Sequence, residues 1–166
     1  LGAAKKSTVN LMGFRLFHDH DPRVLEYVLQ DRDCAKIILT RTPLESYVSL
    51  KIAAETDQWR LADLKKRKDA RVRFELSEFR AHLRKHADYL DLVRGMLKRT
   101  GQTAFQLTYE DVGDVDVLNG LVRYLGVEGE AKAVSTKTKK QNPSDLSEKV
   151  SNYSQMVSEL SSLDPF

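Results

Sequence analysis

The most chemically suggestive stretch of the sequence is the junction at Arg41, where an apolar, strand-like run gives way to a helix start. Thr42 can cap that helix, Pro43 suits its first turn, and hydroxyl side chains recur at Ser46 and Ser49. At this spacing the three hydroxyls share one helical face beside a guanidinium. Free backbone N–H groups, the helix dipole and a forked donor together favour a phosphate or sulfate oxyanion. The alternative is a capped helix with a solvated arginine and two serines that serve packing.

The spacing of this junction also resembles a known nucleotide-binding signature. A strand, then Arg-x-Pro at Arg41, then Ser49 eight residues after the arginine, is similar to the 3′-phosphate-binding motif of sulfotransferases that use 3′-phosphoadenosine 5′-phosphosulfate (PAPS). In that family the arginine and the serine hold the 3′-phosphate. The resemblance implies that Arg41 and Ser49 bind PAPS as the co-substrate.

Two later segments extend the resemblance. Tyr109 ends a strand-like run in the sequence Tyr-Glu-Asp, which a helix and a Leu-Gly pair follow, as in these enzymes. The resemblance implies that Tyr109 contacts the adenine or lines its pocket, whereas the residue alone is equally compatible with a core tyrosine. The basic loop at 127–143 and the closing helix resemble those of bacterial carbohydrate-type and nodulation-type sulfotransferases. That loop would bring three further residues to the donor: Lys139, Lys140 and Gln141.

The 5′-phosphosulfate loop of this family has no counterpart in the sequence. The family loop is a turn rich in Gly, Ser and Thr after the first strand, and residues 1–8 contain basic and hydroxyl residues outside any strand-loop-helix context. We therefore expect residues 1–166 to form a single sulfotransferase-like domain that is truncated at its N-terminus. We also expect the isolated chain to be inactive if the loop is truly absent. A P-loop nucleotide kinase is a weaker alternative, because the Walker glycine-lysine loop is missing as well.

Two histidines are the candidate catalytic bases. Sulfuryl transfer needs a base for the proton of the acceptor hydroxyl and cations near the leaving oxygen. His18 and His20, at the end of a strand-like run, resemble the segment in which cytosolic members of the family place a catalytic histidine. The alternative is a pair of polar residues at a strand end, with Asp19 orienting one ring. His-x-His could also begin a metal site, but no cluster of further ligands accompanies it, so we expect no metal.

A strongly basic segment spans residues 60–73, with seven Lys or Arg and two Asp, in a chain whose formal net charge is +3. It is either a solvated helix or loop, or a surface for an anionic acceptor, polysaccharide or lipid headgroup. Nucleic acid is disfavoured because Trp59 and Phe74 are the only aromatic residues nearby. Trp59 could stack on a sugar or on adenine, or could anchor the following segment to the core. The alternative function is thus a non-catalytic module that binds anionic polymers or a protein partner through this segment.

The elements that position these residues alternate between strand and helix. Strand patterns occupy 9–17, 34–40 and 103–109, with a short extended piece at 72–74, and helix patterns begin at Pro22 and cover 43–55, 76–99, 115–125 and 145–160. Three alternations favour a parallel sheet with crossover helices, and the run at 34–40 is typical of a central strand buried on both faces. The fold class is therefore α/β, a parallel sheet flanked by helices, and the resemblance implies the P-loop-NTPase-like sulfotransferase fold.

Composition sets the outer limits of these interpretations. The 166 residues, 41% hydrophobic and 31% charged, suit one globular domain with its own core and exclude wholesale disorder or a collagen-like repeat. One cysteine excludes an intrachain disulfide. No apolar run approaches the roughly 20 residues of a membrane span, and the start does not resemble a signal peptide, so we expect a cytoplasmic protein. The prediction is a sulfotransferase that acts from PAPS on a hydroxyl or amine of a carbohydrate or small metabolite.

Overall fold

The computed structural model describes residues 11–59, 70–134 and 145–162. Its elements in chain order are α1 (Pro22–Gln30), β1 (Ile37–Thr40), α2 (Pro43–Thr56), α3 (Leu76–Thr100), β2 (Phe105–Thr108), a 3₁₀ turn (Asp111–Gly113), α4 (Val115–Tyr124), α5 (Leu146–Lys149) and α6 (Tyr153–Ser161). None of the helices in these ranges combines the length and the apolar character that crossing a bilayer requires.

Two parallel strands form the sheet of the described residues. Ile37 pairs with Phe105 and Thr40 pairs with Thr108, so both strands end at the same edge of the sheet. The N–H of Tyr109 donates to the carbonyl of Thr40 at 2.8 Å and extends the pairing by one bond. Helices α2 and α3 make the crossover that parallel pairing requires. The predicted α/β character is confirmed at this level, as a small parallel sheet with helices around it.

The prediction of a first strand over 9–17 is wrong in the part of it that the structure describes. Residues 11–17 have irregular backbone. Their large side chains face solvent, with Met12 91% exposed and Phe14 63% exposed. An apolar run becomes a strand only where a pairing edge and a packing face are available to it, and the sequence pattern reports neither.

Strand β1 is buried on one face, not on both as we expected from its composition. Ile38 is 8% exposed and packs with Leu29, Val93 and Leu97. Leu39, its neighbour on the opposite face, is 54% exposed. A run of aliphatic residues does not distinguish a doubly covered strand from one with helices on a single side.

Helix α2 begins at Pro43 as predicted, but Thr42 does not cap it through its side chain as expected. The Thr42 side chain makes no capping hydrogen bond. The Glu45 carboxylate accepts instead from Nη2 of Arg41 at 3.1 Å. A charge-assisted bond to a guanidinium is stronger than one to a neutral N–H, so the ion pair competes effectively for this carboxylate.

The helix predicted over 145–160 is broken in two. Between α5 and α6, Val150 forms a parallel bridge with Val72. The Val72 N–H donates to the Lys149 carbonyl at 2.8 Å, and the Ser151 N–H donates to the Val72 carbonyl at 2.9 Å. Val150 is completely buried by this pairing. The extended piece expected at 72–74 is therefore real, and its partner is the residue that interrupts the last helix.

Two hydrophobic clusters hold the described elements together, and α3 contributes to both. The first cluster joins α2, the extended piece, α3, α5 and α6 through Tyr47, Val48, Ile52, Val72, Phe74, Phe79, Val150 and Met156. The second cluster joins α1, β1 and the distal part of α3 through Leu29, Ile38, Val93 and Leu97. Arg41 connects β1 to α2, so the two clusters fix its backbone from both sides.

Candidate functional site

Arg41 and Tyr109 meet beyond the carboxyl ends of β1 and β2. The guanidinium carbon of Arg41 lies 4.7 Å from the centroid of the Tyr109 ring, in cation–π contact. Each residue directly follows one member of the paired Thr40 and Thr108. The parallel register therefore brings together two side chains that are 68 positions apart in the sequence. Tyr109 is 38% exposed, so it is not the core tyrosine that the sequence left as an alternative.

The Arg41 guanidinium is only partly satisfied by its neighbours. Its side chain is 23% exposed and pairs with the Glu45 carboxylate, which is 22% exposed, at 3.1 Å. Nε is buried and has no hydrogen-bond partner among the described residues. A buried donor without an acceptor is costly, so the position favours a further acceptor. We call Arg41, Glu45, Tyr109 and the first turn of α2 the Arg41 site.

The turn after β2 holds Tyr109 in place. Oδ2 of Asp111 accepts from Oγ1 of Thr108 at 2.6 Å and from the Thr108 N–H at 2.9 Å. The hydrogen bond from the Thr108 hydroxyl, with the one from its N–H, lowers the pKa of the Asp111 carboxyl. The aspartate of the Tyr-Glu-Asp sequence is thus ionised and committed to its own turn, which orients the tyrosine two residues before it.

The other residues that the sequence predicted for the donor have different outcomes. Ser49 is half-buried on α2, on the helical face of Thr42. Lys139, Lys140 and Gln141 lie outside the described residues, as does most of the basic segment, 60–69. The described part of the basic loop, 127–134, is irregular. Trp59, three residues beyond α2, is 63% exposed.

The two candidate bases have different surroundings. His20 packs edge-on against the Phe17 ring, with centroids 5.3 Å apart, and its Nδ1 accepts from the Phe17 N–H at 3.4 Å. His18 packs against α3 instead, where its ring centroid lies 5.8 Å from that of His86 and 6.5 Å from that of Tyr89. Only His18, of this pair, therefore contacts a second structural element through its ring.

His18 lies beside a histidine pair that the sequence analysis missed. His82 and His86 stand one helical turn apart on α3, with ring centroids 4.3 Å apart. The signal available in the sequence was their i, i+4 spacing within a predicted helix. A groove of about 490 Å³ runs between α2 and α3 and is lined by His18, Tyr47, Leu50, Lys51, Glu78, Ala81, His82, Arg84, Lys85 and Asp88. We call it the histidine groove.

The Glu78 carboxylate in this groove is neutralised locally. Its Oε2 accepts from Nζ of Lys51 at 2.7 Å and from the Tyr47 hydroxyl at 2.9 Å. The hydrogen bond from Lys51, followed by that from Tyr47, lowers the pKa of Glu78. Burial is the main reason that the pKa of Tyr47 is raised, so Tyr47 stays protonated and acts as a donor. The three side chains join α2 to α3 along one wall of the groove.

His82 and its neighbour His86 resist protonation. Burial lowers the pKa of His82 to about 4, with further repulsion from His86, His18 and Lys85. Burial, His18 and Lys85 lower the pKa of His86 as well. Both rings are thus neutral at neutral pH.

In the described part of the chain, no group of three or more His, Cys, Asp or Glu has an arrangement that could hold a metal ion.

The lowered pKa of His82 predicts a pH-dependent stability. Between about pH 6.5 and 4 the unfolded chain binds a proton on this histidine and the folded chain does not, so the free energy of unfolding falls as the pH falls through that window. His82→Gln is expected to flatten this decline, with His86 accounting for the remainder. Urea denaturation at pH 7.5, 5.5 and 4.5 and constant salt measures the slope. His20→Gln is the control, and an equal slope in the His82 variant and the wild type would contradict the assignment.

No family model matches this chain, and no curated protein or solved structure does either. Its function must therefore be inferred from the residues of the Arg41 site and the histidine groove.

Proposed function

We propose that the Arg41 site binds the 3′-phosphoadenosine part of PAPS, and that the chain belongs to a PAPS-dependent sulfotransferase with a P-loop-like fold. The observation that supports this most strongly is the contact between Arg41 and Tyr109 at the shared carboxyl edge of two parallel strands. Open parallel sheets bind ligands at that edge. A guanidinium beside an aromatic ring could hold the phosphate and the base of a phosphorylated nucleoside, and this combination supports the proposal.

The residues of the Arg41 site fit a phosphate group. The unpartnered Nε of Arg41 offers a donor, and the first turn of α2 offers backbone N–H groups that the Thr42 side chain does not cap. Glu45 opposes binding, because its carboxylate holds Nη2 and would repel a phosphate. Phosphate binding at this site is therefore an exchange, in which the guanidinium turns from Glu45 to the nucleotide.

The remaining residues have assigned roles in this proposal. PAPS supplies an activated sulfuryl group for in-line transfer to a hydroxyl or amine of a carbohydrate or small metabolite, without a metal or a covalent intermediate. Ser49 assists Arg41 at the 3′-phosphate, and Lys139, Lys140 and Gln141 reach the donor from the late loop. His18 takes the proton of the acceptor, a role for which its packing on α3 suits it better than His20. Trp59 contacts the acceptor substrate, for example by stacking on a sugar ring.

Calorimetric titration tests the donor site directly. We expect 3′-phosphoadenosine 5′-phosphate to bind about 10- to 100-fold more tightly than 5′-AMP, because one charge-assisted hydrogen-bonded group is worth about 1.5–3 kcal/mol. Adenosine 2′,5′-bisphosphate carries the same charge at a different position and serves as the control. Equal affinity for all three nucleotides, or no binding of any of them, would overturn the proposal.

A further inference from the structure

We propose that the histidine groove is a second ligand site, which binds a dianionic oxyanion, inorganic sulfate or the phosphate group of a small molecule, and takes up protons as it does so. Arg41, Glu45 and Tyr109 do not line this groove. The groove does contain His18, the base in the function proposed above, but the inference uses no residue of the donor site, and either ligand site can fail without the other.

The groove has the size and the walls of a binding site for a small anion. Its volume of about 490 Å³ lies within the range of small-molecule pockets. Three elements supply its lining: α2 through Tyr47 and Lys51, α3 through His82 and Lys85, and the turn at His18. His86 lies next to His82, with ring centroids 4.3 Å apart, but does not line the groove. Leu50 and Ala81 add apolar surface to this lining.

The residues that line the groove carry more positive than negative charge. Glu78 is already engaged by Lys51 at 2.7 Å, which leaves Arg84 and Lys85 against Asp88. Burial is the main cause of the lowered pKa of His82, and repulsion from His86, His18 and Lys85 adds to it. Lys85 also lowers the pKa of His86, so this positive charge disfavours the imidazolium form of both rings. The groups that face the rings are Lys51 and Tyr47 from α2, Glu78, Arg84, Lys85 and Asp88 from α3, and Asp19, 3.9 Å from His18.

His82 also has an unused hydrogen-bonding group. Its Nε2 is buried and has no partner among the described residues. Once protonated, this nitrogen is a donor that an oxyanion can accept from. A dianion in the groove would offset the repulsion between the rings and Lys85, favour the imidazolium form and pair with the donor that this form creates. By linkage, ligand binding then raises the pKa of the rings, and a lower pH tightens binding.

Histidine NMR with sulfate as the probe tests the inference. Sulfate keeps its double charge across pH 5–8, so any pH dependence of its binding comes from the protein. We expect sulfate, compared with chloride at equal ionic strength, to raise the pKa of His82 and His86 by about one unit. Sulfate should then bind more tightly at pH 5 than at pH 7.5, by about twofold through His82 alone, with His86 adding to this gain. His20, which packs on Phe17 outside the groove, is the internal control. No shift at His82 and His86, or the same shift at His20, would overturn the inference.

Three variants distinguish binding in this groove from binding elsewhere on the protein. Lys85→Met is expected to raise the pKa of His82 in the absence of sulfate, because it removes a repelling charge, and to weaken sulfate binding several-fold. Because a loosened fold would also raise this pKa, urea denaturation is measured alongside, and the assignment requires that Lys85→Met keep the stability of the wild type. Lys98→Met, on the same helix outside the groove, should change neither. Arg41→Ala should leave the sulfate response of His82 intact; its loss would mean that the ion binds at the Arg41 site, and the inference would fall.

Discussion

Replacement of Arg41 by alanine is expected to remove the preference for 3′-phosphoadenosine 5′-phosphate over 5′-AMP. The affinity for the bisphosphate should fall by up to about 100-fold, the equivalent of one forked, charge-assisted interaction, while the affinity for 5′-AMP changes little. The guanidinium is held in place by the Tyr109 ring at 4.7 Å and by the Glu45 carboxylate at 3.1 Å, so its removal deletes an oriented donor. Calorimetry with both nucleotides measures the change.

Glu45→Gln provides the matched control, since both substitutions break the same ion pair. If the pair is purely structural, both variants weaken the protein and neither changes the ratio of the two nucleotide affinities. If Arg41 binds phosphate, the outcomes have opposite signs. Glu45→Gln then releases Nη2 and removes a repelling charge, and the bisphosphate binds several-fold more tightly. A loss of bisphosphate affinity in both variants would contradict the assignment of Arg41 to the 3′-phosphate.

The contact between Arg41 and Tyr109 shows what sequence reasoning can reach. Both residues follow runs predicted as strands of a parallel sheet, and parallel strands end at one edge, so both are expected at that edge. That the two strands pair directly, and bring the side chains into contact, is a finding of the structure. The helix ends follow from equally local rules. Asp21 accepts from the N–H of Arg23 at the start of α1, and Gly101 takes a φ of 63° at the end of α3.

The features that sequence reasoning missed depend on contacts between distant residues. Val150 leaves the last helix because it pairs with Val72, 78 positions earlier. The Glu45 carboxylate pairs with Arg41, and not with the helix N-terminus, because the guanidinium is within hydrogen-bonding distance. The histidine groove arises where α2 packs on α3, and no local pattern places Tyr47 and Lys51 opposite His82. His82 and His86 lie beside His18, which was the one histidine of this cluster that the sequence indicated.

Phe74 packs against Tyr47, which lines the histidine groove. Phe74→Ala is the substitution with the largest expected effect on stability. The side chain is 1% exposed, with its ring centroid 5.8 Å from that of Tyr47 and 5.6 Å from that of Phe79. Truncation of a buried phenylalanine costs about 3–5 kcal/mol, a large share of the roughly 5–15 kcal/mol that stabilises a domain. Urea denaturation measures the loss, for which Phe14→Ala at an exposed position is the control, with an expected change within about 0.5 kcal/mol. A loss below about 1 kcal/mol for Phe74→Ala would contradict the packing of the first cluster.

A milder substitution at the same position tests whether this packing also controls the histidines. The Tyr47 ring lies between Phe74 and His82, with centroids 5.8 Å from each. Phe74→Leu is expected to keep the fold but loosen Tyr47, which admits water to His82 and moves its pKa up from about 4 toward the ordinary value. Val93→Ala removes volume from the second cluster instead and should leave that pKa unchanged. If both variants shift the pKa of His82 equally, the two clusters are one cooperative core, and the burial of His82 does not depend on Phe74 in particular.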